Sequence, residues 1–286
     1  MLSYRHAFHA GNHADVLKHF VLMLVLRHAA QKDKPFWYID THAGAGMYAL
    51  DNTFAMQNAE FNSGISRLWD APDMPEALAD YVKLVKKLNP TGQLRRYPGS
   101  PVIAHELLRR NDRMRLFELH PNDSKLLRQT FLAADGSAFS KKAMIETADG
   151  FAGIKAQLPP PPRRAVVLID PPYEQKQNYQ RVVESIKDSL QRFPTGTYMV
   201  WYPLLQRREP QQMLDKLQKM ELDSWLHVAL KVQAPSPDGF GMQGSGLFII
   251  NPPWILPKLL ADTMPYLVEK LGQDDDAEFG LDSQIP

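Results

Sequence analysis

Ala165-Val166-Val167-Leu168-Ile169-Asp170-Pro171-Pro172-Tyr173 is the stretch on which the reading of this chain turns. Five consecutive apolar residues have the length of a strand buried on both faces, as in the middle of a parallel sheet. The run ends at an acid followed by two prolines. Proline fixes φ, so Pro171-Pro172 stiffens the turn that carries Asp170 and Tyr173.

Working outward, strand-like runs recur at Phe36–Ile39, Met114–Leu119, Ala143–Thr147, Tyr198–Tyr202, Leu226–Val232 and Leu247–Ile250. Helical patterns lie between many of them, near Asp123–Phe131, Tyr179–Arg192 and Pro210–Met220. Another starts at Asn12, a good N-cap, and runs to about His28. Ser100-Pro101 opens one more, with Ser100 as cap and Pro101 at the first helical position. The alternation predicts an α/β fold: a mostly parallel, Rossmann-like sheet of about seven strands with helices on both faces. Residues 50–96 read as polar and helical, a small insertion that divides the main domain into 1–49 and 97–270. Residues 271–286, with Asp274-Asp275-Asp276-Ala277-Glu278, read as a frayed acidic tail.

Bulk composition narrows the chemistry. The chain has 286 residues, a net charge of +1 and no cysteine. Disulfides, thiolate zinc sites and a cysteine nucleophile are therefore excluded. No apolar run is long enough to span a bilayer, and the N-terminus lacks the apolar centre of a signal peptide, so a cytoplasmic protein without membrane contact is expected. A metal site is the rival explanation of the N-terminal histidines, and no metal is expected. A nucleic-acid partner would need a local basic surface. The candidates are Arg5, His6, His9, His13 and Lys18, then Arg95-Arg96, Arg109-Arg110 and Arg207-Arg208.

Three signals flank the central one. Asp40-Thr41-His42-Ala43-Gly44-Ala45-Gly46 closes the first strand and is expected to open a helix, and Gly44, Gly46 and Ala49 fit a loose dinucleotide-loop pattern. Glycines there let backbone approach a ligand. Glu118 ends the next strand, where an acid accepts hydrogen bonds from ribose hydroxyls. It lies much further along than the roughly 20 residues of a compact fold, and the insertion accounts for the gap. Asp149-Gly150 follows the third strand, where an acid contacts adenine. Taken singly, a tight turn, a surface acid and an Asp-Gly turn explain each of the three equally well.

Asp170-Pro171-Pro172-Tyr173 resembles the [D/N/S]-P-P-[Y/F/W] signature of amino-methyltransferases acting on adenine N6. The lone pair of that amine is delocalised into the ring. Acceptors facing its two N–H groups favour a pyramidal, nucleophilic nitrogen; the Asp170 carboxylate and the Pro171 carbonyl are suited to this. Tyr173 is placed to stack on an extruded base. Asn251-Pro252-Pro253-Trp254 fits the same signature. Order separates the two. The strand before Asp170 is the fourth and lies beside the first, with its end at the cofactor crevice. The strand before Asn251 would be the last and antiparallel, ending at the opposite edge.

Together these motifs are similar to the RlmJ family of 23S ribosomal RNA adenine-N6 methyltransferases. Further motifs carrying the resemblance are Ser3-Tyr4-Arg5-His6, Gly11–His19, Tyr97-Pro98-Gly99-Ser100-Pro101 and Glu118-Leu119-His120-Pro121. The resemblance implies a class I methyltransferase sheet with a helical insertion. It implies S-adenosylmethionine contacts from His19, His42, Ser100, Glu118, Asp149 and Gly150, beside Gly44, Gly46 and Asp170. It implies Asp170 as the catalytic acceptor, within Pro171, Pro172 and Tyr173, and Tyr4, Arg5 and His6 beside Tyr173 at the substrate. The expected partner is 23S rRNA and the expected state a monomer. A DNA adenine methyltransferase would use the same four residues, but no separate target-recognition domain is visible. A non-catalytic binding module on the same fold is the remaining reading.

Overall fold

The computed structural model describes residues 8–51, 59–135 and 142–285. Its strands are β1 (Trp37–Asp40), β2 (Met47–Ala49), β3 (Arg96–Pro98), β4 (Arg113–Phe117), β5 (Ala143–Glu146), β6 (Ala165–Ile169), β7 (Thr197–Leu204), β8 (Trp225–Lys231), β9 (Gly244–Ile250) and β10 (Glu278–Gln284). Its helices are α1 (His13–Ala30), α2 (Ile65–Leu68), α3 (Glu76–Lys87), α4 (Ser100–Leu107), α5 (Pro121–Asp135), α6 (Gly150–Gln157), α7 (Gln177–Arg192), α8 (Arg208–Gln218) and α9 (Leu256–Leu271).

The main sheet runs β10-β8-β9-β7-β6-β1-β4-β5. β6 pairs in parallel with β1 on one side and β7 on the other, with Ala165 opposite Trp37. All five residues of β6 are buried. Val166 and Leu168 face the cluster formed with α1, α4 and α9, while Val167 and Ile169 face the one formed with α6, α7 and α8. A strand covered on both faces needs apolar residues at every position, which is why its sequence shows a run and no alternation.

β9 is antiparallel to β7 and β8, so Asn251 emerges at the edge opposite Asp170. There its side-chain amide donates to the carbonyls of Pro194 (2.7 Å) and Gly196 (2.8 Å) and anchors the turn that leads into β7. β9 is not the last strand, however. The segment expected to fray supplies β10, an eighth strand where about seven are expected. β10 pairs antiparallel with β8 from Glu278↔Lys231 to Gln284↔Trp225. Its acids are what hold the turn before it: the Asp274 carboxylate accepts from the Ala234 and Asp276 amides, and Glu278 pairs with Lys231 at 3.1 Å.

A second expectation fails at the glycine loop, which opens no helix. Gly44 and Gly46 take left-handed φ angles of 62° and 80°, and the chain then enters β2. β2 pairs antiparallel with β3, Met47 opposite Pro98, and the Gly99 amide donates to the Gly46 carbonyl at 2.7 Å. This ribbon closes the excursion over residues 50–95 and delivers the chain to Ser100, where α4 begins. Within the excursion, Ile65, Leu68, Leu78, Tyr81 and Val85 are buried in the same cluster as α1.

Deleting residues 278–286 should lower the melting temperature by several degrees, at roughly 2–4 °C per kcal/mol for a chain of this size. An unchanged melting curve would mean that the segment contributes nothing to the fold.

Candidate active site

β1, β4 and β6 end together, and the loop after β1 is sewn to both neighbours. The Thr41 amide and hydroxyl donate to the Leu168 carbonyl, and the Ala43 amide donates to that of Phe117. Connections leave β1 and β6 in opposite directions, so a crevice opens between them. It forms a cavity of about 720 Å³, within the range of about 300–1,000 Å³ usual for small-molecule sites.

Asp40, the last residue of β1, is fully buried behind the cavity lining. Its carboxylate accepts from the Tyr38 hydroxyl (2.7 Å), the Ser100 hydroxyl (2.7 Å) and the His42 amide (3.1 Å). Burial nevertheless raises its pKa above the ordinary carboxylate value. Ser100 thus meets Asp40 because the β2–β3 ribbon brings α4 back to the end of β1.

Glu118 follows β4. One carboxylate oxygen accepts from the Gly44 amide at 2.8 Å, the other from the His120 amide at 2.7 Å. The glycine loop is therefore shaped by the acid that shares its wall. Asp149 caps α6 through the Phe151 amide at 2.9 Å and pairs with Arg181. Gly150 packs against backbone: a Cβ there would lie 1.9 Å from the Thr41 carbonyl oxygen, so no other residue fits. His42 stacks edge-on against Phe151 (centroids 4.9 Å apart), and burial pushes its pKa down to about 3, leaving it neutral.

The feature not apparent from sequence is Lys18. It lies on α1, a helix buried on every side from His13 to Leu26, and its side chain is only 5% exposed. Its ammonium donates to Asp170 at 2.6 Å and pairs with Asp15 at 3.1 Å. Burial alone would lower the lysine pKa; the two carboxylates outweigh it and raise it. Lys18 is thus no part of a basic surface. His13 is buried as well, and burial lowers its pKa to about 4. Asp15 continues the polar line inward: His19 Nε2 lies 3.9 Å from it, His19 Nδ1 is 2.9 Å from the Tyr97 hydroxyl, and that hydroxyl is 2.6 Å from Tyr81's. The available signal was an acid, a lysine and a histidine at positions 15, 18 and 19 of an otherwise apolar helix.

Tyr173 takes a left-handed φ of 52°. Its hydroxyl donates to the Trp201 carbonyl at 2.6 Å, and its ring lies 4.5 Å from that of Tyr179. The ring is held from two sides. His19, His42, Gly44, Ser100, Glu118, Asp149, Gly150 and Asp170 to Tyr173 all line the cavity. Gly46 does not. It stands behind the wall, where its carbonyl accepts from Gly99 and a Cβ would meet Leu127 at 2.9 Å. Tyr4, Arg5 and His6 lie outside the described residues. Of the other basic stretches, Arg109 is spent on Asp112 and on the carbonyls of Ala30, Lys32 and Lys34.

A central parallel sheet, a reversed β9 and a crevice at the ends of β1, β4 and β6 define a class I methyltransferase. The family model described as "Ribosomal RNA large subunit methyltransferase D, RlmJ" matches residues 33–280. The chain is 48% identical over 271 residues to the ribosomal RNA large subunit methyltransferase J of Escherichia coli (strain K12), covering 95% of this chain and 94% of that protein. It is 47% identical over 272 residues to the protein of the same name from Haemophilus influenzae, with the same coverage of both chains. The crystal structure of protein LPL1258 from Legionella pneumophila superposes with a TM-score of 0.85 at 34% identity, over 96% of this chain and 98% of that one. The chain belongs to the RlmJ family.

Two histidines with lowered pKa values give a pH test. The unfolded chain protonates histidine near 6.5, whereas His42 stays neutral down to about 3 and His13 to about 4. Folded protein then binds fewer protons, so stability should fall as pH drops from about 6.5 toward 4. His42→Gln should flatten that fall in melting temperature; identical slopes for both proteins would show that His42 titrates freely.

Proposed function

We propose that the chain transfers a methyl group from S-adenosylmethionine to the N6 amine of an adenine in 23S ribosomal RNA. Family membership supports the methyltransferase class and the ribosomal RNA substrate. The observation that carries the adenine reading is Asp170, held by Lys18 at the end of β6 between the cofactor crevice and the Tyr173 turn.

The cavity fits the cofactor. The Gly44 and Gly150 backbones line it, Glu118 and Asp149 offer carboxylates to ribose hydroxyls and the adenine amine, and Ser100 and His19 line the same space. When bound, S-adenosylmethionine supplies a methyl activated by its sulfonium. Asp170 accepts from one N–H of the target amine and the Pro171 carbonyl from the other, which localises the nitrogen lone pair. Methylation of N6 forms a C–N bond, releases the electron pair of the broken C–S bond to sulfur, and leaves N6 cationic until it sheds a proton. The Asp170 carboxylate opposes that charge as it develops. Lys18 compensates Asp170 and Asp15 until the amine arrives. The sequence motif Tyr4, Arg5 and His6 completes the substrate side in this reading, with Tyr173 beside the base.

Asp170→Ala should keep the fold and cofactor binding while losing on the order of a hundredfold or more in rate, as with loss of one preorganised polar group. Turnover at the wild-type rate would sink the assignment. Asn251→Ala should retain the rate, since its amide only anchors a turn at the far edge. Substrate class is decided by methyl transfer to total RNA and total DNA followed by nucleoside mass spectrometry. The expected product is N6-methyladenosine; N6-methyldeoxyadenosine would place the chain among DNA enzymes, and no product would favour the non-catalytic module.

A further inference from the structure

Phe240 is 75% exposed, at the tip of the loop between β8 and β9. A lone exposed aromatic is ordinary on a protein surface, but this one stands on a built support. The Asp238 carboxylate accepts from the Phe240 amide (3.0 Å) and the Ser236 hydroxyl (2.6 Å), and the Gly239 amide donates to the Ser236 carbonyl (2.9 Å). Gly239 and Gly241 flank the ring with left-handed φ angles of 78° and 92°, and a Cβ at Gly241 would meet nothing within 4 Å. Those glycines serve the backbone path, and the tip stands clear of the body.

The support is tied to the active site. Gly241, Met242 and Gln233 line the same cavity as Asp170 and Tyr173. The Gln243 amide donates to the Leu204 carbonyl at the end of β7, and Gln206 donates to the Ser236 carbonyl. Directly after Gln206 come Arg207 and Arg208. Both are exposed, and neither guanidinium makes a hydrogen bond or ion pair among the described residues. An exposed aromatic ring, on a loop bonded to the residue that precedes two exposed arginines and next to residues that line the cavity of Asp170, fits a nucleic-acid strand.

We propose that Phe240 is the wedge that enters the RNA base stack where the target adenine leaves it, with Arg207 and Arg208 on the neighbouring phosphates. This rests on the reading of the chain as an RNA adenine methyltransferase. Asp170 is only 15% exposed, so an adenine must leave its helix to reach it. Extrusion costs stacking and pairing, and an inserted aromatic offsets that loss and holds the gap open. Trp254, 74% exposed, is the internal comparison: equally prominent, but beside Asn251 on the opposite edge.

The test uses the full chain and two RNA hairpins built around the adenine that mass spectrometry maps. In one the adenine is paired within the stem; in the other it is unpaired. Phe240→Ala should slow single-turnover methylation of the paired hairpin by on the order of tenfold or more, the scale of one base–aromatic stack. It should slow the unpaired hairpin by less than about twofold, since nothing remains to be extruded. Phe240→Trp should restore the paired rate, and Trp254→Ala should change neither. With 2-aminopurine at the target position, wild type should raise its fluorescence and Phe240→Ala should not. Equal rates for Phe240→Ala and wild type on the paired hairpin overturn the proposal, as does equal slowing on both hairpins, which would make Phe240 a general contact. Wild type inactive on both overturns the parent reading itself, whereas an active wild type with an indifferent Phe240→Ala overturns only the wedge.

Discussion

Lys18 and Asp170 form an ion pair where neither charge could stand alone. Moving one charged group out of water costs several kcal/mol, and removing one partner of such a pair costs about 3–5 kcal/mol because the other is left uncompensated. Here one ammonium serves two carboxylates, Asp170 at 2.6 Å and Asp15 at 3.1 Å. Asp15 is itself pinned, accepting from the Gly11 amide at 2.9 Å. The arrangement ties the first turns of α1 to the end of β6, so the position of the Asp170 carboxylate depends on the helix that covers the sheet as much as on the strand that carries it. The rest of the crevice follows the same logic. Groups that line the cavity are held by polar partners: Ser100 by the buried Asp40, Gly44 by Glu118 in the same wall, Tyr173 by the Trp201 carbonyl.

That logic also explains what could be read in advance. β6 was legible because burial on both faces demands an uninterrupted apolar run, and its place beside β1 followed from strand order alone. The same counting set Asn251 apart, since a strand running the other way delivers its turn to the other edge. Glu118 and Asp149 were legible as acids at strand ends. What sequence periodicity could not supply were contacts between distant segments. Lys18 is paired with a residue 152 positions away, and Asp40 is shared by Tyr38, Ser100 and His42. β2 and β3 are three residues each, too short for any periodic signal. The acids of the C-terminal segment suggested solvation, yet Asp274 makes a turn and Glu278 finds Lys231. α9 carries Pro265 inside it, and its existence rests on packing of Leu256, Leu260, Met264, Leu267 and Leu271 rather than on propensity.

Charge inside the crevice is weighted toward carboxylates, with His13 and His42 kept neutral by burial. Glu118 is pushed upward by burial and Asp40 likewise, while His42 is pushed down. Such a wall suits a cationic donor and hydroxyl-rich ligand parts. The positive groups facing outward, Arg207 and Arg208, belong to the side where a polyanion would approach. The two kinds of surface meet at the loop that follows β7, so one strand end serves both.

The β2–β3 ribbon has a further consequence, for how this fold tolerates change. Once Met47–Ala49 and Arg96–Pro98 are paired, the distance between Asp40 and Ser100 no longer depends on what the chain does in between. Extra length in a closed loop is cheap, roughly 0.6 kcal/mol per doubling. The exposed turns of the intervening stretch can lengthen, provided it still returns Glu60 to His9 and Asn12, packs Ile65, Leu68, Leu78 and Val85 into the core, and brings the Tyr81 hydroxyl to that of Tyr97 behind His19. A six-residue clasp thus separates what sets the Asp40–Ser100 distance from what sets the length of the loop between them.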